Sequence, residues 1–549
     1  MILYSGFYTS NSWLYYGNID WDITYSYAEF ARKNILEYGQ IPAWNPYVLG
    51  GTDFYSNLQN FHFGIFFPLV LIFGTIIGMK LQIIAFYLLG FWGMYRFLRV
   101  IYINSVYAFW GSALFCFSTY FAWHGIYSGH HNSMVIQSLP WWLYSYESFK
   151  RNNFRYKCWH AAIPILIFCN LVLDGASYPL LYTPLVFGSY ALADGIANKK
   201  LLATLQFVII TTIAGLGIAS FKLIPAIIYL SDFPREFLDK TFANPMNFLH
   251  MLADSKLLNK EDSISYWHWS EYGAAFSIVA VVFIVYYYKK LKWSLPLWIF
   301  LLFWIWLSLG NFPRYFNPWY YLNLYAPGFQ SIRVPSRITI YLILFLVPAF
   351  LTILQRIKIQ RKIVYIILSA LLLHLYIQNR SIYLSWELSE ALVNIDIESR
   401  QNQGFKWVKI PVSEEGKQGK MLPYIKNNLG ILNGIEPTHM DTALFVKEEE
   451  EAQLIKENFV NIGYWSPNKM HLTLKVLKPF TLNQNFHPNW KEEWNNAEII
   501  EEKGAMKVIP KAKSLHLKFH PPYLKSGLII SSVFAIGVLV WLSFLYRHK

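Results

Sequence analysis

The sequence predicts an all-α polytopic membrane protein that carries a small β-rich external domain and ends in a transmembrane helix. Three observations lead there. The chain is 55% hydrophobic and 19% aromatic but only 15% charged, a composition that no soluble domain of 549 residues tolerates. Apolar runs recur at about the 20-residue length that a hydrocarbon core demands. Basic residues cluster in alternate connections between those runs, as the positive-inside bias requires.

The elements follow in order. Residues 18–68 form a long polar and aromatic loop, with Asp20 and Asp22 bracketing Trp21 ahead of a helical pattern over 23–38. The cluster Trp44-Asn45-Pro46-Tyr47 and a Gly50-Gly51 turn come next. Long ordered loops beside spans tend to hold function. The run 63–78 is too short to cross and reads as a juxtamembrane or half-inserted helix. Spans are predicted over 79–98, 104–123, 133–149, 159–176, 178–196, 202–229, 271–288, 294–309, 337–355, 363–378 and 526–546.

Counting through these spans places every basic cluster on one side, from Arg96 and Arg99 to Arg547 and Lys549. That side is the cytoplasm. The loop 18–68, the turn 124–131, the loops 230–270 and 311–337, and the region 380–523 then face outward. The formal charge of +14 is explained by these clusters, so nucleic acid is excluded as a partner. The predicted organisation is a loop with juxtamembrane helix (1–78), a multi-span domain (79–378), an external domain (379–525) and a last span (526–549). Period-two stretches such as Met470 to Val476 and Leu515 to Phe519 predict strands in the external domain, with one helix around 448–458 opened by the acids Glu448 to Glu451. Cys116, Cys158 and Cys169 lie in or beside spans without ligand spacing and read as small apolar residues.

Three motifs in order carry a resemblance. They are the acidic loop with G-x-x-P-x-W-N-P-Y, the run Pro327-Gly328-Phe329-Gln330-Ser331-Ile332-Arg333-Val334-Pro335-Ser336-Arg337, and Asn485-Phe486-His487-Pro488-Asn489-Trp490 with Phe519-His520-Pro521-Pro522. Together they resemble the YfhO family, bacterial multi-spanning proteins of the GT-C glycosyltransferase class. The resemblance implies a GT-C-like helical bundle in the cytoplasmic membrane with its active site facing outside. It implies transfer of a sugar from a polyprenyl-phosphate-linked donor to a cell-envelope polymer or glycan acceptor, among membrane lipids; metal-dependent and metal-independent members both occur in that class, and no cofactor or metal is assigned from the sequence. Relatives of this kind carry a span ahead of the acidic loop; here Met1 would start outside with no span before it, so the expectation is a fragment or a misassigned start.

Such a reaction needs a carboxylate to accept a proton and cations to hold the departing phosphate. Asp22 is the first choice as base, with Asp20 two residues away as its competitor. Asp22 also suits an N-cap of the following helix. Arg333 and Arg337 are the expected phosphate holders, since guanidinium groups pair phosphate oxygens through a planar fork. Arg314 and His131 are expected to assist. Trp44, Asn45, Tyr47 and Glu271 are expected to frame the sugar or acceptor. His124 and His130 flank the same outer turn, and Asp174 caps a span; no metal set has ligand spacing. The competing readings are a transporter or flippase of a lipid-linked precursor, and a non-catalytic envelope assembly factor.

Overall fold

In a computed structural model, the residues described are 20–232, 245–253, 271–313, 315–326, 328–332, 334–357, 359–384, 405–408, 421–431 and 452–547. The chain enters on α1 (Trp21–Leu36), which buries Trp21, Tyr25, Ala28, Phe30 and Ala31 together with the polar Asp22, Glu29, Lys33 and Asn34. An amphipathic surface helix would keep those polar residues in water. Here they are enclosed because other segments cover both sides of the helix.

Strands β1 (Trp44–Asn45) and β2 (Thr52–Asp53) form a tiny hairpin closed by the two glycines. Gly51 adopts φ +99 with the Trp44 indole directly over it, so a β-carbon there would lie 2.6 Å from Trp44 Cζ2. The short helix α2 (Pro68–Phe73) stops at Gly74, and α3 (Thr75–Val100) follows at once. The run 63–78 therefore divides between a juxtamembrane turn of helix and the start of α3, which begins before the expected residue 79.

The next two predicted spans are interrupted. Helix α4 (Ser105–Cys116) leads into a π-helical turn over Phe121–Tyr127, and a 3₁₀ turn over His131–Ser138 leads into α5 (Leu139–Arg151). π-Turns are rare and concentrate at functional sites. Helices α6 (Cys158–Leu173), α7 (Ser177–Ala197), α8 (Leu201–Ile218) and α9 (Ser220–Asp232) come next. The run 202–229 was expected as one span, but a single helix of that length would reach about 42 Å, well beyond a ~30 Å core. It breaks at Ala219 instead.

Helices α10 (Pro245–Ala253), α11 (Ile278–Tyr286), α12 (Leu295–Ser308) and α13 (Pro318–Tyr325) are short. The span expected over 271–288 is helical only in α11 and its short 3₁₀ continuation, because residues 273–277 are not helical and Ala275 exchanges hydrogen bonds with Thr119. A 3₁₀ turn over Pro335–Ile338 opens α14 (Thr339–Arg356), which is buried on nearly every side, and α15 (Arg361–Leu384) follows. Among the described residues, six helices are long and apolar enough to cross a membrane: α3, α7, α8, α14 with its 3₁₀ turn, α15 and the C-terminal helix Leu524–Arg547.

Between α15 and that last helix lie β3 (Lys406–Val408), α16 (Met421–Lys426), β4 (Leu429–Ile431), β5 (Ala452–Gln453), β6 (Val460–Ser466), β7 (Lys469–Leu474), β8 (Phe480–Asn485), β9 (Trp490–Glu492), β10 (Ala497–Glu502), β11 (Ala505–Pro510) and β12 (Ser514–Phe519). They form sheets of order β4-β3-β5, β6-β7-β12-β9 and β10-β11-β8. The helix expected around 448–458 is absent from its described part. Ala452 and Gln453 pair with β3, and Ile455 bridges to Leu482; the acidic run itself lies outside the described residues. The outer loop is stitched into these sheets: Leu49 N–H donates to Ile431 O at 2.6 Å, and Asn485 N–H donates to Gly50 O at 2.7 Å. Helix α17 (Leu524–Arg547) returns to lie along α8 and α9, with Gly527 against Phe221 and Ser531 Oγ donating to Ile218 O. Its other face leaves Ile529, Val533, Ile536, Val540 and Phe544 exposed.

Candidate functional site

The two acids at the start of α1 point in different directions, since successive residues on a helix are about 100° apart. Asp22 is buried, and both of its carboxylate oxygens accept the backbone N–H of Met421, at 2.8 and 3.0 Å. That is an N-cap supplied from outside the helix it caps, satisfying an orphan donor of α16 with a charge-assisted bond. Lys33, three turns further along α1, donates to the carbonyls of Ile425 and Lys426 at the other end of α16. The acid meets the positive end of the α16 dipole and the ammonium meets the negative end. Asp22, the first choice for the base, thus has both carboxylate oxygens on this cap.

Asp20 is the acid that faces a constellation of titratable groups. Its Oδ2 lies 2.6 Å from His130 Nε2, and its side chain is 41% exposed, against 13% for His130. The start of α1 is held there by several bonds to one turn. Trp21 Nε1 donates to Ile126 O, Thr24 Oγ1 donates to Gly129 O, and Asp20 N–H donates to Ser128 O. Gly129 makes this docking possible: it sits at φ +77, and a β-carbon would come within 2.4 Å of Trp21 N.

Beneath His130 lies a buried ion pair. Arg337 donates from Nε to Glu271 Oε2 and from Nη2 to Glu271 Oε1, both at 2.8 Å, in the bidentate fork. Ser336 Oγ donates to the Glu271 carbonyl, and the guanidinium lies over the Tyr178 ring at 4.2 Å. Val334 precedes the turn at φ +60, an uncommon conformation for a β-branched residue that aims the Pro335–Ile338 turn inward. His124 completes the group from the π-turn, with Nε2 3.8 Å from Glu271 and its ring stacked on Tyr120 at 4.1 Å.

The electrostatics follow from this enclosure. Burial alone would raise the Glu271 carboxyl, but the Arg337 guanidinium forked against it outweighs burial and holds it down to about 2. Burial drives His124 well below the usual imidazole range, with Glu271 opposing and Arg337 reinforcing. The core of the group is therefore an ionised Glu–Arg pair and a neutral His124. A half-exposed carboxylate and His130 sit on top. Such an arrangement can take a proton from a bound hydroxyl at Asp20 while a fixed cation lies below.

The other expected residues are placed as follows. His131, adjacent in sequence to His130, turns away to pack against Phe61 and Phe86, and burial lowers it to about 3. Trp44 and Tyr47 are buried, not open to a sugar. Trp44 packs on Trp490 and Phe519, while Tyr47 packs on Phe405 and donates its hydroxyl to Asn428. Asn45 is buried and accepts from Tyr47 N–H. Trp44 and Tyr47 fasten the loop to the sheets because large aromatic surfaces gain most from burial. Glu271 serves as partner to Arg337 rather than as a framing group. Asp174 is buried beside Asn170. Arg314 and Arg333 lie outside the described residues. The sequence places His130 on the outer turn but gives the site role to His131; it is His130 that meets Asp20, directly after the Gly129 that admits the head of α1.

No protein-family model matches this chain, and no curated protein is significantly similar to it, so the resemblance to the YfhO family rests on the three motifs alone.

Proposed function

We propose that this chain is a multi-pass membrane glycosyltransferase that transfers a sugar from a polyprenyl-phosphate-linked donor to a cell-envelope acceptor outside the cytoplasmic membrane. The observation that carries the reading is the Asp20–His130 pair set over the Arg337–Glu271 fork. It supplies a proton acceptor and a buried cation close together, on segments that the charge pattern assigns to the outer side. The three motifs in family order support the same class.

In this reading His130 donates from Nε2 to Asp20 and fixes the carboxylate toward the acceptor. The acceptor oxygen attacks the anomeric carbon, its proton passes to Asp20, and the bond to the phosphate oxygen breaks. Arg337 has committed Nε and Nη2 to Glu271, which leaves Nη1 to meet the charge growing on the phosphate. Glu271 keeps the guanidinium planar to the site. Purified protein incubated with a polyprenyl-phosphate sugar, scored for donor hydrolysis and transfer, tests this. Turnover that disappears in Asp20→Asn supports it; no turnover of any such donor by the wild-type chain overturns it.

A further inference from the structure

The sheet β6-β7-β12-β9 has two unlike faces. Met470, Leu472, Leu474, Leu515, Leu517 and Phe519 are buried on one side, where the outer loop packs. The opposite side carries His471 of β7 directly across from His516 of β12, and Tyr464 of β6 across from His471. Trp494, just past β9, closes the row against His516. The ring centroids are 5.2 Å apart from Tyr464 to His471, 4.2 Å from His471 to His516 and 3.9 Å from His516 to Trp494. The row therefore crosses the whole sheet, and its ends are open: Tyr464 is 39% exposed and Trp494 60% exposed.

One step along the strands runs a second row. Lys469 pairs with Lys518, and Lys518 pairs with Lys491, so three ammonium groups stand directly opposite one another on adjacent strands. Like charges in that relation oppose sheet formation. Glu493 offsets one of them, at 2.9 Å from Lys518 Nζ. Cross-strand ring pairing accounts for the two histidines as sheet stabilisers. It does not account for a Trp left in water beside three lysines that share one carboxylate.

We propose that this face binds an anionic saccharide chain, with sugar rings lying on the Tyr464–His471–His516–Trp494 row and their carboxylate or phosphate groups on the Lys469–Lys518–Lys491 row. The negative faces of aromatic rings suit the C–H faces of sugars, and an ammonium row matches anions repeated along a chain. The inference rests on the outward placement under the proposed function, where this face holds the polymeric acceptor. Single-stranded nucleic acid also stacks on aromatic rows beside cations, but an outward face does not meet it.

The test uses the full chain in neutral-lipid nanodiscs, titrated with oligogalacturonate and followed by calorimetry and Trp fluorescence. Oligogalacturonate should bind more tightly than a neutral malto-oligosaccharide of equal length, and its affinity should fall with salt. Trp494→Ala should weaken binding at least tenfold, and Lys469→Gln with Lys491→Gln should remove the preference for the anionic chain. Both variants change exposed or half-exposed side chains, and unaltered thermal unfolding verifies their fold. Absent binding, binding unchanged in Trp494→Ala, or tighter binding of oligothymidylate or of vesicles rich in anionic lipid would each overturn the proposal. Because binding is read without catalysis, it can fail while Asp20→Asn still abolishes transfer, and it can hold while that variant stays active.

Discussion

Asp22 accepts the backbone N–H of Met421 through both carboxylate oxygens, across 399 residues of chain. With Lys33 at the opposite end of α16, this bond fixes α1 against the β-rich region while Asp20, two residues earlier, faces His130. One helix thus joins the β-sheets to the candidate site.

The two acids should separate on mutation. Asp20→Asn is expected to lower turnover about 10²–10⁴-fold, the usual contribution of a general base, with little change in unfolding temperature. Asp22→Asn should keep most turnover and cost about 1–2 kcal/mol of stability by weakening the cap. Steady-state rates and thermal unfolding of both variants check this, and the reverse pattern would return the base to Asp22.

Breaking the buried pair should be costly from either side. Glu271→Gln leaves a buried guanidinium without its counter-charge and is expected to destabilise by about 3–5 kcal/mol. Arg337→Lys should fold better than Arg337→Ala, yet use the donor about ten- to a hundredfold less well than wild type, because an ammonium cannot reproduce the fork. Donor-dependence curves for the two Arg337 variants read this directly.

Asp53 predicts a pH effect. It is buried with Ser56 N–H on Oδ1, while His487 stands 4.0 Å away, too far for a strong bond. Burial therefore dominates and raises its carboxyl to about 6. An acid whose folded pKa lies above its unfolded one holds more protons when folded, so the contribution of Asp53 to stability is greatest below about pH 4 and falls as pH rises to about 6. Asp53→Asn should remove this slope and raise the unfolding temperature at neutral pH. An unchanged slope would show that Asp53 is solvated.

Gly129→Ala should displace the head of α1, because both its φ and the nearby Trp21 backbone forbid a β-carbon. The expected result is a loss of about 1–3 kcal/mol together with loss of transfer. A wild-type rate in this variant would uncouple the docking turn from the site.

Orientation is checked by cysteine labelling. Cysteine at the exposed Lys491 should react with an impermeant reagent from outside, and cysteine at Lys290 only after the membrane is opened. External labelling at 290 would overturn the outward placement of the site.

The sequence by itself determined the apolar helices, the alternation that makes β7 and β12 two-faced, and the motif order behind the functional reading. The helices and the alternation are local properties, set by residues within one or two turns or strands of each other, and the motif order is read directly along the chain. Tertiary structure alone decided which acid meets a histidine, that His130 rather than His131 faces the group, that Arg337 is already paired with Glu271, and that Trp44 and Tyr47 are buried fasteners. The partners in those contacts lie far apart in sequence, from Trp21 and Ile126 to Asp22 and Met421. Helical periodicity says which residues share a face, but the segment that covers that face is chosen by packing across the whole chain.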